Sequence, residues 1–211
     1  MGTRDYGAWH DSYDRPGSGL HLRLLVVQDL ISRALDELPP GPVRVVSMCA
    51  GQGRDVVTVA GRHRRGGDMR GLLVEVDEAL VRDARRRIEA AGCQGLAVVQ
   101  GDAGVSDAYE TAVPVDLVVA CGIFGNIERA DIQRTIELLP CLCAPGAWVV
   151  WTRAPEPPEI IGDVVGWLEG AGFESVEVVV PGNRMFGVGA ARFVGEPQPF
   201  ERGVRLFRFL R

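Results

Sequence analysis

Apolar and polar residues follow two periods along this chain. Residues 20–38 carry Leu22, Leu25, Val26, Leu30 and Ala34 at helical spacing, which predicts an amphipathic helix. Pro39-Pro40-Gly41-Pro42 stops it. From residue 43 onward, short apolar runs and helical stretches take turns. Runs at 43–48, 70–76, 96–99, 115–121, 147–152, 173–180 and 204–210 read as strands. Stretches at 55–64, 78–91, 128–139 and 158–171 read as helices, with Gly92, Pro140 and Gly172 as stops. Near-continuous apolar strands between helices predict an α/β architecture, with a parallel sheet covered on both faces. The last two runs have no helix between them, so antiparallel pairing at one edge is expected. Segment 184–193 joins them, either as a wall of a ligand pocket or as an extra hairpin. Residues 1–19 are polar and form no clear element.

Composition narrows the function classes. At 211 residues the chain has the length of one domain with modest additions, enough for a sizeable core. The net charge of −5 argues against a nucleic-acid partner, which favours a basic face. No apolar run reaches the ~20 residues of a membrane helix, and the first residues lack the apolar core of a signal peptide. With Cys49, Cys93, Cys121, Cys141 and Cys143 an odd set, reduced thiols and a cytoplasmic location are expected. Cys141 and Cys143 lack the spacing of a zinc half-site and have no histidine nearby, so they read as small buried hydrophobes. All 23 basic residues are arginine, which excludes a Schiff-base or P-loop lysine.

The chemistry concentrates after the first strand. Cys49-Ala50-Gly51-Gln52-Gly53 is a tight turn between that strand and a helix, an arrangement that puts backbone N–H groups at the mouth of a crevice. Gly51 and Gly53 allow close approach of a ligand or positive φ. Glu75 ends the next strand 22 positions after Gly53, well placed to bind a ribose hydroxyl. Asp102 ends the third strand and can accept from an exocyclic adenine amine. Cys121-Gly122 ends the fourth, beside the reactive end of the ligand. Together they predict an adenosine-containing cofactor. A dinucleotide site of the NAD type would want a third glycine, but Arg54-Asp55-Val56 follows Gly53.

This ordered set resembles the class I S-adenosylmethionine-dependent methyltransferases over roughly residues 43–210. The resemblance implies a doubly wound, mostly parallel, seven-stranded Rossmann-like sheet with an antiparallel edge strand and helices on both faces. It implies one domain over residues 1–211, with a lid segment and helix over 1–41 and the core over 42–211. The family's first turn commonly reads acid-x-Gly-x-Gly-x-Gly; here Ser47 stands for the acid and Cys49 for the first glycine. The resemblance assigns Cys49, Ala50, Gly51, Gln52, Gly53, Glu75, Val76, Asp102, Ala103, Cys121, Gly122 and Tyr13 to S-adenosylmethionine, with S-adenosylhomocysteine as product. Val76 lies against adenine, and Asp102 and Ala103 at its edge. Without an acid at Ser47, another group has to hold the cofactor ammonium or affinity falls.

The implied activity is metal-independent methyl transfer to an oxygen or nitrogen of a small molecule. The Asn- or Asp-Pro-Pro-aromatic signature of amide-nitrogen enzymes is absent from Cys121-Gly122-Ile123-Phe124. Tyr6, Trp9, His10 and Tyr13 are lid candidates. His10 and Tyr13 are the catalytic candidates, His10 because an ordinary imidazole titrates near neutral pH. Trp9, Asn126 and Arg153 are the substrate candidates, Asn126 alternatively as a helix cap and Arg153 alternatively as a solvated side chain. His21 and His63 fall on helices and read as solvated. A homodimer is compatible with this reading. The alternatives are a non-catalytic S-adenosylmethionine-binding protein and an NAD-type oxidoreductase.

Overall fold

The computed structural model describes residues 11–210. A 3-10 turn, Asp11–Asp14, leads to helix α1, Gly19–Glu37. Ser18 starts α1 by accepting the His21 N–H on its hydroxyl at 3.1 Å, a bond that satisfies one of the orphan donors of a first turn. Strand β1 (Val43–Met48) follows, then α2 (Val56–Arg62), β2 (Met69–Glu75), α3 (Glu78–Ala90) and β3 (Leu96–Gln100). Next come β4 (Val115–Ala120), α4 (Arg129–Leu138), β5 (Cys143–Arg153), α5 (Ile160–Gly170), β6 (Phe173–Val179) and β7 (Gly187–Phe193).

The sheet order is β3-β2-β1-β4-β5-β7-β6. The chain works outward from β1 to β3, then returns to place β4 on the other side of β1. Such a reversal opens a crevice at the carboxyl ends of the two central strands. Six strands run in one direction, and β7 alone is reversed, pairing antiparallel with both β5 and β6. The reversed strand is therefore next to the edge, with β6 outermost.

Both faces of the sheet are buried. On one, Val45, Leu117, Val119, Trp148 and Val150 pack with α1, α2 and α3 through Leu30, Val57 and Val81. On the other, Val46, Met48, Val118, Ala120, Val149 and Trp151 pack with α4 and α5 through Ile132, Ile136, Val164 and Leu168. Adjacent strand residues fall on opposite faces, as the pleat requires. This double burial is why the central strands read as near-continuous apolar runs.

Two expectations fail. Residues 204–210 are not a strand; they make only isolated bridges, Val105 to Arg205 and Ile127 to Phe209. The seventh strand is Gly187–Phe193, inside the segment expected to be a connector. Its glycines and alanines carry little strand propensity, but they fit their surroundings. Gly189 lies opposite Trp151, and a Cβ there would overlap the indole. The apolar residues Leu206 and Phe207 of the tail do bury, though against a surface other than a strand edge. The β3–β4 connection holds only a 3-10 turn, Ser106–Tyr109, among the described residues. Leu206 and Phe207 fill the face left uncovered there.

Candidate active site

At the crevice, β1 ends in a left-handed turn. Cys49 has φ 52°, Gly51 φ 56° and Gly53 φ 66°. The Ala50 N–H donates to the Val74 carbonyl at 2.9 Å and the Gly53 N–H to the Ala50 carbonyl at 2.8 Å, which ties the turn to β2. Cys49 holds a conformation that costs a side chain free energy. Gly53 takes the positive φ expected of it but does not line the cavity, and it has a further job. It is buried, and a Cβ there would come within 2.9 Å of Leu73 and 3.0 Å of Val57. It serves close helix–strand packing, the task that in a dinucleotide fold falls to a later glycine.

Glu75 is the most constrained group of the site. Its side chain is buried, and it accepts three backbone donors: Gly51 N–H on Oε2 at 2.8 Å, and Val76 N–H and Asp77 N–H on Oε1 at 2.8 and 2.9 Å. One carboxylate thus joins the β1 turn to the β2 turn. Each carboxylate oxygen carries two lone pairs, so Oε2 retains capacity for a further donor from the cavity.

A cavity of about 330 Å³ runs along this edge. Of the predicted residues, Tyr13, Cys49, Ala50, Gly51, Gln52, Glu75, Val76, Cys121, Gly122 and Asn126 line it. Gly53, Asp102, Ala103 and Arg153 are not among the lining residues. Asp102 instead accepts from Gly104 N–H at 2.8 Å and from Arg205 at 2.6 Å. Arg153 donates to the Glu156 carbonyl at 3.0 Å. Asn126 does not cap α4, which starts after Glu128; its amide donates to the Gly122 carbonyl at 2.7 Å and closes the loop after β4. Gly122, at φ 80°, donates its N–H to the buried Thr152 hydroxyl at 2.8 Å. Tyr6, Trp9 and His10 lie outside the described residues.

The structure also brings in groups that sequence reasoning passed over. Arg23, Leu24, Arg54, Asp55, Asp77, Leu80 and Phe209 all line the cavity. Arg23 donates to the Tyr13 hydroxyl at 2.7 Å. Arg54 grips Asp14 through both terminal nitrogens, at 2.5 and 2.8 Å, and stacks over the Tyr13 ring at 5.6 Å. His21 is partly buried and engaged: its Nδ1 lies 3.0 Å from the Tyr13 carbonyl oxygen, so that nitrogen carries the proton. These contacts press the Asp11–Asp14 turn onto the cavity. His63 ends α2 and faces Asp36 at 3.4 Å, so it too is engaged.

Electrostatics single out Asp55. It caps α2, its Oδ1 accepting the Val56 N–H at 2.7 Å. Burial pushes its carboxyl above the usual range, with the Val56 N–H and the Arg23 charge opposing. Burial likewise pushes up the thiols of Cys49 and Cys121, which favours the protonated, unreactive form of both. The Tyr13 phenol is raised by burial as well, against the opposing charge of Arg23. Arg23 and Asp55 place a guanidinium and a carboxyl group in one cavity. Among the described residues, no group of three or more His, Cys, Asp or Glu could hold a metal ion, and no helix is long and apolar enough to cross a membrane.

The sheet order and the cavity across β2, β1 and β4 define the class I S-adenosylmethionine-dependent methyltransferase fold. Residues 15–166 match the model of a family described as "Putative methyltransferase", and the chain belongs to that family. No curated protein matches the chain in sequence. Among solved structures, it is similar to magnesium protoporphyrin IX methyltransferase (ChlM) from Synechocystis PCC 6803 with bound SAM. That match has a TM-score of 0.68 at 12% identity and covers 90% of this chain and 92% of that one. The carbon methyltransferase of CurJ matches with a TM-score of 0.64 at 15% identity, over 90% of this chain and 59% of that one. The [4+2]-cyclase SpnF matches with a TM-score of 0.58 at 15% identity, over 80% and 81%. At these identities the likenesses establish the fold alone. Family membership displaces the NAD-type oxidoreductase reading.

Proposed function

We propose that the protein transfers a methyl group from S-adenosylmethionine to an oxygen or nitrogen of a small molecule, without a metal. The single observation that carries this reading is Glu75, buried at the end of β2, bonded to the Gly51 N–H and facing the cavity. Its remaining acceptor capacity suits a ribose hydroxyl. The cavity sits at the lower end of the range for ligand sites, ~300 Å³. A volume of that order suits one ligand of the cofactor's size, with the acceptor meeting it at the mouth of the cavity.

The rest of the lining fits the same ligand. Arg23 and Asp55 suit the carboxylate and ammonium of an amino-acid end, so Asp55 supplies the acid that Ser47 does not. Cys121 and Gly122 then flank the transferred group. The cofactor supplies an electrophilic methyl on a sulfonium. The chain's task is to align the acceptor with that methyl and keep bulk water out. The Asp11–Asp14 turn, held by Arg54 and Arg23, supports the second task. The SpnF likeness, to a cyclase by name, is a reminder that this fold admits other chemistry. Incubation with methyl-labelled S-adenosylmethionine and a panel of small alcohols, phenols and amines tests the reading. Label transfer is the expected result; cofactor binding with no transfer across the panel would favour the non-catalytic alternative, which Ser47 at the motif's acid position keeps in play.

Replacing Asp55 with asparagine keeps a helix-capping side chain but removes the charge. Cofactor affinity is expected to fall by roughly 10- to 100-fold, the range for losing a charged hydrogen bond. The ligand-free variant is expected to be more stable than the parent at neutral pH. Because the folded carboxyl titrates above its unfolded value, the native state holds the extra proton between the two. Parent stability therefore falls as pH rises through that window, and the deficit persists above it. Melting curves of both proteins against pH check the sign: parallel curves would remove Asp55 as a strained buried acid.

A further inference from the structure

The C-terminal segment runs from Val204 to Leu210 across the ends of β3 and β4. It is pinned along its length rather than at one point. The Ser106 N–H donates to the Val204 carbonyl at 2.9 Å, and the Val204 N–H donates to the Ser106 hydroxyl at 3.0 Å. The Leu206 N–H reaches the Gly104 carbonyl at 2.9 Å, and the Arg208 N–H reaches Asp131 at 2.8 Å. The Leu210 N–H ends the run on the Asn126 carbonyl at 2.9 Å. Leu206 and Phe207 anchor it in the core.

This path has two consequences at the cavity. It delivers Phe209 to the lining, with the ring held edge-on against Phe207 at a centroid separation of 5.5 Å. Phe209 is 46% exposed and Val76 64% exposed, and both line the cavity. The same path brings Arg205 onto Asp102. Each Asp102 oxygen accepts one donor, from Arg205 or from the Gly104 N–H, and these bonds hold the carboxylate beside the tail, outside the lining of the cavity. The carboxylate that the resemblance would give to the adenine amine works instead as an anchor for the tail. An aromatic face and a valine are sequence-tolerant platforms for a base, because every purine offers a π-face.

We propose that this site holds the cofactor's base by stacking and shape against Phe209 and Val76, without reading its exocyclic amine through Asp102, so that the purine ring is recognised but its 6-amino group is not. The inference rests on the S-adenosylmethionine reading above. It makes Phe209 a binding residue for the base and Asp102 a structural one.

Calorimetry of the full chain tests this with S-adenosylhomocysteine and its 6-deamino purine analogue, which keeps the ring nitrogens and lacks only the amine. The two affinities are expected to agree within about threefold, a difference too small for a lost buried hydrogen bond. Phe209→Ala is expected to weaken both ligands equally, by roughly 5- to 100-fold, the range for losing a base–aromatic stack. Phe209→Trp should retain binding, which separates stacking from a general loosening of the tail. Asp102→Asn should leave the ratio of the two affinities unchanged. A tenfold or greater preference for the amine that Asp102→Asn abolishes would overturn the proposal, as would unaltered affinity in Phe209→Ala. Failure of both ligands to bind the parent protein would overturn the cofactor reading itself and this inference with it.

Discussion

Replacing Glu75 with alanine is expected to damage cofactor binding and the site's framework together. The carboxylate accepts from Gly51, Val76 and Asp77, so alanine leaves three backbone donors without their acceptor. An unsatisfied buried donor costs about 1–3 kcal/mol. Water entering from the cavity can serve some of the three, which brings the expected stability loss to about 2–4 kcal/mol. Removing a ribose acceptor should cost about a further 1–3 kcal/mol in S-adenosylmethionine affinity, roughly 5- to 150-fold. Glutamine is not a neutral substitute, because its NH2 group would face either the Gly51 N–H or the Val76 and Asp77 pair, donor against donor. Chemical denaturation and calorimetry on the same preparations separate the two losses. Unchanged affinity in a folded Glu75→Ala protein would take Glu75 out of the ligand site.

Gly53→Ala is expected to cost stability rather than binding specificity. At φ 66° an L-residue pays about 1–2 kcal/mol. The added methyl would also press on Leu73 at 2.9 Å and Val57 at 3.0 Å, and overpacking of this kind costs about 1–3 kcal/mol. The sum, about 2–5 kcal/mol, corresponds to a fall in Tm of roughly 4–20 °C for a chain of this size. An unaltered Tm would mean that the turn does not need glycine at this position. The pair of variants distinguishes two functions inside one turn: Gly51 presents its N–H to Glu75 beside the ligand cavity, whereas Gly53 lets α2 settle on β2.

Much of the fold was legible because the signals were local and strong. Both-face burial turns β1, β4 and the second half of β5 into near-continuous apolar runs, and proline and glycine mark the helix ends. β7 was not legible, because its identity depends on a partner. Gly-Val-Gly-Ala-Ala reads as a connector until Trp151 on β5 supplies the bulk that its glycines lack. The tail misled in the opposite direction. Its valine, leucines and phenylalanines make a short apolar run that reads as a strand, but the missing helix between β3 and β4 offers it a bare face instead of a strand partner.

The candidate site shows the same division. The β1 turn, Glu75 and Cys121-Gly122 follow from strand ends and could be read in order. Asp55 sits four residues beyond Gly51 and reads as an ordinary helix cap; only its burial opposite Arg23 makes it a candidate for the ammonium. Arg23 and Phe209 reach the cavity from α1 and the far end of the chain, and no motif spacing links them to β1. Asp102 shows the reverse case, a residue in the motif position that Arg205, distant in sequence, has claimed. Such a contact could have been suspected only from a charge excess in the tail.

The central claim is that this cavity is built for S-adenosylmethionine. Calorimetry with S-adenosylmethionine, S-adenosylhomocysteine and NAD tests it most directly. The account predicts that the first two bind, that both weaken in Glu75→Ala, and that NAD does not bind. Binding of NAD without S-adenosylmethionine or S-adenosylhomocysteine would contradict it.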